Sequence, residues 1–308
     1  PKLEVETDEP ILDLAIENDK SLVLRFAERL QRVKLGGKSP RFDDIRRGPA
    51  GGLAASGKRI YALFADTLVR FHTDEAASVV TSVHQNHVCG IRRLPDGRLL
   101  TNGWDGRVLL WKPEGGIAEP LVARDGRIDQ VAVPPEADCV YFGDEHNLRC
   151  LDLASRQVTT IVGGDDIEED IAEHMPKVEH VAASSTHVAW AGNDGVHVVD
   201  RQRGEEVAMV PFEDVESLAV DASGRFYAGS DDGEIACLDP QGTVLWKRVE
   251  HGIDMLKGQL YGDPHRTVGY LATHGELLAS VGSDDAVRVF DGPKGERMLR
   301  CLRGSGIF

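Results

Sequence analysis

Apolar and polar residues in this chain alternate in short bursts separated by Gly-containing turns. The stretch VCGIRRLPDGRLLTNGWDGRVLLW, Val88 to Trp111, sets three apolar runs around the turns PDG and WDG. Runs of roughly six residues rich in Val, Ile and Leu suit strands, and the Gly turns suit tight reversals, so the stretch predicts an antiparallel meander. The same grammar returns in IDQVAVPPEADCVYFGDEHNLRCLDL (128–153), VEHVAASSTHVAWAGNDGVHVVD (178–200), VESLAVDASGRFYAGSDDGEIACLD (215–239) and VGYLATHGELLASVGSDDAVRVFD (268–291). GGLAASGKRIYALFADTLVRF (51–71) is a degenerate copy.

The copies have a period. Their central first-strand residues are Leu53, Ile91, Val131, Val181, Leu218 and Leu271, spaced by 38, 40, 50, 37 and 53 residues. Three of these steps lie near the roughly 40 to 45 residues of a propeller blade, and the other two read as blades with a loop added. A further copy fits before residue 50, where SLVLRF (21–26) and LQRVKL (30–35) resemble third and fourth strands. LEVE and ILDLAI then supply the first two strands; alternatively ILDLAI is the first and the second is missing. The former completes the blade and is preferred. MLRCL (298–302) gives the last blade its own fourth strand, so no strand exchange between the ends is required. The expected fold is a single all-β domain, a seven-bladed β-propeller of four-stranded antiparallel meanders. Its blades are expected near 1–36, 48–84, 85–123, 126–163, 176–212, 213–250 and 266–303.

Within the third copy, His84 precedes the first strand, PDG makes the next turn, Thr101 lies in the second strand, Asp105 follows in a tight turn and Trp111 closes the third. In these residues the stretch resembles a WD40 repeat. The resemblance implies that His84, Thr101, Asp105 and Trp111 form a buried hydrogen-bond relay, which suits groups that need partners when buried. The last copy resembles it through His265, Ser280 and Asp284, with Phe290, which has no N–H to donate, in place of the Trp. The sixth has Asp232 with Leu238 in that place, and the fifth has His174 with Val199. IACLDPQGTVLWKRV (235–249) is instead similar to a quinoprotein-like propeller repeat.

A closed ring of such blades leaves a rim of loops, and loops carry function. Three long connections, 34–50, 163–177 and 250–266, each link a fourth strand to the next first strand and so are expected on one face. The first carries Arg41, Arg46 and Arg47 and is locally basic; the second, GDDIEEDIAEHM (164–175), includes Asp166 and Glu169, with Ile167, Ile171 and Met175 spaced as on one helix face. The third offers Tyr261. Trp104 lies in the tight turn of the third copy, where nothing in blade packing demands an indole, and an exposed Trp is a natural interface anchor. Trp104, Arg41, Arg46, Arg47, Asp166, Glu169 and Tyr261 are therefore the partner-binding candidates. The bland alternatives are an indole covering an inserted loop, acids that only face water, and a Tyr in a satellite cluster.

Composition narrows the function. With 51 acids against 35 bases, a net charge of -16 and a pI near 5.1, nucleic acid is a poor partner. No apolar run approaches membrane-spanning length, and the acidic start PKLEVETDEP is no signal peptide, so a cytoplasmic location is expected. The five cysteines, Cys89, Cys139, Cys150, Cys237 and Cys301, are odd in number and read as buried reduced thiols. GGKS (36–39) lacks the first Gly of a phosphate-binding loop, and Pro40 follows where its helix should start. HQNHVC (84–89) offers a metal-like spacing, but His84 already has a place in the relay and no second ligand cluster follows. No nucleophile elbow or calcium loop occurs. The channel-side Asp129, Glu179, His180 and Glu216 look scattered. The expectation is a non-catalytic module with no catalytic residues, metal or cofactor, a scaffold or a recruiting or regulatory subunit that binds another protein on its top rim. The alternatives are a lactonase-like propeller hydrolase with a channel metal and a ligand-sensing subunit of an associated enzyme.

Overall fold

The computed structural model describes residues 84–112, 118–164, 176–251 and 267–303 apart from positions 283 and 285; before residue 84 it describes the strands. Its strands form six four-stranded antiparallel sheets and one five-stranded sheet. The first antiparallel sheet holds β1's successors β2 (Asp13–Asn18), β3 (Ser21–Arg25), β4 (Arg29–Lys34) and β5 (Arg41–Arg47), β1 itself being Leu3–Thr7. The next holds β6 (Leu53–Ser56), β7 (Arg59–Phe64), β8 (Thr67–His72) and β9 (Glu75–Ser82). After it come β10 (Val88–Arg93), β11 (Leu99–Gly103), β12 (Arg107–Trp111) and β13 (Glu119–Ala123), then β14 (Val131–Ala132), β15 (Cys139–Asp144), β16 (Asn147–Asp152) and β17 (Val158–Val162). The fifth comprises β18 (His180–Ala183), β19 (His187–Gly192), β20 (Gly195–Asp200) and β21 (Glu205–Val210); the sixth β22 (Val215–Val220), β23 (Phe226–Ser230), β24 (Glu234–Leu238) and β25 (Val244–Val249). The five-stranded sheet joins β26 (Tyr270–His274), β27 (Leu277–Val281), β28 (Val287–Asp291) and β29 (Glu296–Arg303) to β1. Among the described residues no helix is long and apolar enough to cross a membrane.

The inner strands β2, β6, β10, β14, β18, β22 and β26 touch one another in that order, and β26 returns to β2, so the ring closes. Closure is apolar. Ile16, Leu22, Leu24 and Val33 of the first sheet pack on Ala279, Val281, Val287 and Val289 of the last. Every other well-described seam repeats the device, as where Leu110 and Val122 meet Val140 and Phe142, or Ala189 and Val198 meet Leu218 and Phe226. Period-2 strands make this possible, because each sheet turns alternate residues to the neighbour on either side.

The chain ends depart from the sequence expectation. Six sheets, not seven, are four-stranded antiparallel meanders. LEVE is not the first strand of the first blade: β1 lies parallel to β29, with Leu3 opposite Leu299 and Thr7 opposite Arg303. ILDLAI supplies the inner strand, SLVLRF the second and LQRVKL the third, and the first blade runs over 13–47 rather than 1–36. The last blade does have its own fourth strand in β29, as expected, and β1 adds to it as a fifth, so the two ends of the chain are joined. An outer strand leaves a row of unpaired peptide groups, and any extended segment can satisfy them, so the choice of edge is weakly encoded in side chains.

The fourth strand of that blade is β5, built from RFDDIRR. Arg41, Arg46 and Arg47 therefore belong to an outer strand and not to a rim loop, and Lys34 and Arg41 are register partners. The misreading has a physical cause. Outermost strands here bury little: five of the six residues of β25 are exposed, including Val244, Leu245 and Val249, and β21 exposes Val207 and Met209. A strand with one neighbour and two nearly solvated faces needs no apolar alternation, and a charged run serves as well.

Candidate functional site

The turn between β11 and β12 is shaped by backbone demands before any side chain acts. Gly106 adopts φ +68, and a Cβ there would lie 2.0 Å from the Arg124 carbonyl; a Cβ on Gly103 would lie 2.6 Å from that of His87. The Trp104 amide donates to the His87 carbonyl at 2.9 Å, and the Gly103 carbonyl accepts from Ile128 at 3.2 Å. Equivalent links tie Val178 to Glu145, Asp231 to Asp214 and Val268 to Ser230. Second-to-third-strand turns and fourth-to-first-strand connections therefore meet on one face.

Below this turn lie the four relay residues. His84 Nδ1 is 2.8 Å from Asp105 Oδ1, His84 Nε2 is 2.9 Å from Thr101 Oγ1, and Trp111 Nε1 donates to the same hydroxyl at 3.0 Å. Asp105 Oδ2 also accepts the Gln85 amide at 2.9 Å. Burial alone would raise the Asp105 carboxyl, but the Gln85 amide and the His84 ring outweigh it and hold the group below its ordinary value. The carboxylate thus stays ionised under the turn.

Above it stands Trp104, 46% exposed. Its Nε1–H donates to Asp129 Oδ1 at 2.9 Å, and the His87 ring tilts against it at a centroid separation of 4.9 Å. Asp129 is held in turn by Arg127 at 2.9 Å. The buried Asn102 Nδ2 bonds the Ile128 and Asp129 carbonyls at 2.8 and 3.0 Å, fixing the segment that presents the carboxylate. Of these supports the sequence had suggested Asp129 only as a scattered channel residue and His87 only within a metal-like spacing, and had assigned nothing to Asn102; a lone Asn in a strand is the signal that was there to find. His180, at the head of β18, is pushed down to about 4 by burial, against the pull of Asp129. Cys89, beside Trp104, is pushed up to about 12, by burial first and then by Asp129. A thiol so raised is no nucleophile at neutral pH. Among the described residues no three His, Cys, Asp or Glu side chains converge as a metal site.

In the last sheet the relay partner is a different histidine. His251, not His265, meets Asp284 at 2.7 Å through Nδ1 and Ser280 at 2.7 Å through Nε2. The Glu250 and His251 amides both bond the Gly233 carbonyl, at 3.0 and 3.1 Å, which anchors the imidazole to the preceding blade's turn. The long insertion therefore follows the histidine instead of preceding it, and the expected His265 gives way to His251. His265, Tyr261, Asp166 and Glu169, the proposed helix at 164–175 and His174 lie outside the described residues.

Phe290 stands where Trp111 stands in the other set, and the donor it lacks comes from elsewhere. Arg288, the register partner of Ser280, places Nη2 at 2.6 Å from Asp284 Oδ2 and reaches the His251 ring. The Trp246 indole, from β25 of the preceding blade, packs on Phe290 and donates to the Gly292 carbonyl at 2.9 Å. Two intermediate sheets use the same third-strand position. Arg149 pairs with Asp144 at 2.7 Å, and His197 lies 3.1 Å from Asp194 while stacking on Trp190 at 3.8 Å.

The sequence model for the WD domain, G-beta repeat, matches residues 77–112. That stretch runs from within the outer strand β9 through β12, so it contains the whole of the His84 relay. No curated protein sequence matches the chain. The chain is a β-propeller whose residues 77–112 are similar to the WD40 repeat.

Proposed function

We propose that this propeller is a non-catalytic protein-interaction module, a scaffold or a recruiting or regulatory subunit, that docks a partner protein on the face bearing Trp104. The observation that carries the reading is the exposed indole held from below by Asp129 and His87. A large aromatic whose rotamer is already fixed loses little conformational freedom on binding, and its desolvation supplies affinity, which is why anchors of this type dominate interfaces. Arg41, Arg46 and Arg47 drop out of the proposed surface because they lie in β5.

Affinity capture from the native lysate, quantified by mass spectrometry for wild type beside Trp104→Ala, tests the reading. The expected outcome is one protein captured by the wild type and reduced by roughly 30-fold or more with the variant, the loss that matches about 2 kcal/mol at a hot spot. Equal capture by a variant that melts like the wild type would refute the anchor.

A further inference from the structure

At the end of the ring opposite Trp104, two cysteines that the relay does not use lie side by side. Cys139 opens β15 and Cys150 lies near the end of β16; their register partners are Asp152 and Tyr141, so the two are diagonal neighbours on one sheet face. That face packs against Val181, Val188 and Trp190 of the next sheet. The two thiols belong to one packed cluster, Cys139 within it and Cys150 against its edge. Cys139 is buried, whereas Cys150 keeps partial solvent access.

Arg201, just after β20, closes over the pair from the neighbouring sheet. Its guanidinium bonds both Asp138 carboxylate oxygens at 2.8 and 3.0 Å, Tyr141 Oη at 3.1 Å, and the Ser184 and Ser185 carbonyls at 3.1 and 2.8 Å. Nη2 also lies 3.5 Å from Cys139 Sγ. The neighbouring Cys139 thiol and, more weakly, Tyr141 and Arg201 lower Cys150 against the opposing effect of burial, while the neighbouring Cys150 and burial raise Cys139. The more solvent-accessible sulfur is thus the one that ionises first. Cys89 and Cys237 are both pushed up to about 12, mainly by burial.

We propose that Cys139 and Cys150 form a redox-modification site, a dithiol that a hydroperoxide converts reversibly to a disulfide at the seam beneath Arg201. The Cys150 thiolate attacks a peroxide oxygen; the S–O bond forms, the O–O bond breaks, and the departing oxygen takes a proton to leave as water or an alcohol. Cys139 then attacks the sulfenic sulfur: the S–S bond forms, the S–O bond breaks, and the released hydroxide leaves as water with the Cys139 proton. The two sulfurs give up two electrons in all, and the peroxide accepts them. Diagonal neighbours on one face of an antiparallel pair lie at the outer edge of disulfide reach, so the bond closes with a local shift of the two strands. The shift takes Cys139 Sγ from Arg201 and leaves the arginine its oxygen partners, so the sheet seam survives oxidation.

The test treats the folded full chain with hydrogen peroxide, quenches it with an alkylating reagent and maps the peptides without reduction. Cys139 and Cys150 are expected to be lost together as one linked pair, lighter by two hydrogens and restored by dithiothreitol, while Cys89 and Cys237 stay alkylable. Cys150→Ser should abolish the linked peptide, and the double variant Cys89→Ser, Cys237→Ser should retain it. Recovery of both thiols alkylated from oxidised folded protein would overturn the proposal. So would a link that forms only in urea, or one that joins either cysteine to Cys89 or Cys237.

Discussion

The blade of residues 88–123 and the sheet that joins the chain ends hold the same carboxylate in the same turn by different means. In the former, Asp105 takes His84, His84 takes Thr101 and Trp111 completes the chain, with the apolar Leu109 opposite Thr101. In the latter, Asp284 takes His251 and His251 takes Ser280, but the last donor is absent because Phe290 replaces the indole. Arg288, opposite Ser280 where the other blade has Leu109, brings a buried guanidinium onto Asp284. One carboxylate is thus held by a chain of hydrogen bonds through histidine, threonine and tryptophan, and the other by histidine together with a buried guanidinium. The difference predicts unequal responses to the loss of a partner.

The largest effect is expected at the ion pair. Asp284→Ala strands Arg288 beside the core with Glu250 as a distant partner at 3.9 Å, and should lower stability by about 3 to 5 kcal/mol. Urea unfolding checks it, and a loss under 1 kcal/mol would mean that the pair contributes no more than a surface bridge. In the other blade, Trp111→Ala should cost roughly 3 to 5 kcal/mol through lost packing and an open cavity. Trp111→Phe copies the terminal sheet without its arginine, and should cost only about 1 to 2 kcal/mol, mainly the Thr101 bond.

Acid separates the two further. His180 has a folded value of about 4 against an ordinary 6.5, so its neutral form is favoured by folding. Its contribution is complete above pH 6.5 and is lost as pH falls towards 4, on the order of 2 kcal/mol, and His180→Gln should flatten that limb. Asp105 and Asp284 are both depressed, so what they contribute persists below the ordinary carboxylate value near 3.8 and disappears only as pH falls through their lower folded values. Burial works against Asp284 as it does against Asp105, but His251 and Arg288 together depress it further, so the terminal sheet should keep its turn to lower pH. Comparing Asp105→Asn with Asp284→Asn across pH 4 to about 2 sharpens this contrast, the latter shifting the lower end of the window. The smallest effect is expected for Trp104→Ala, a loss of no more than about 1 kcal/mol for one half-exposed bond to Asp129; a greater loss by thermal melting would make Trp104 part of the fold's support.

Much of this was readable before the structure. The His84, Thr101, Asp105 and Trp111 set and the positions of Ser280 and Asp284 were legible through the resemblance of their stretches to a WD40 repeat, which local strand and turn residues carry. His251 was not readable, because its place depends on the Gly233 carbonyl of the preceding blade and the residues that follow it can be of any number. Arg288 and Arg149 read as ordinary alternating strand residues. Only their register opposite Ser280 and Phe142 shows that each faces a turn carboxylate.

The sequence by itself determined the meander, its period and the residue types at each turn, because alternation and Gly placement act over a few residues and are written in order along the chain. Tertiary structure decided which strand lies at which edge and which side chains share a seam. β1 lies on β29, RFDDIRR became an outer strand, Trp246 reached across to Phe290, and Cys139 and Cys150 came to lie under Arg201. Edge pairing is made by peptide groups that every residue carries, and seams are made between residues tens of positions apart, so neither leaves a local mark in the order of the amino acids.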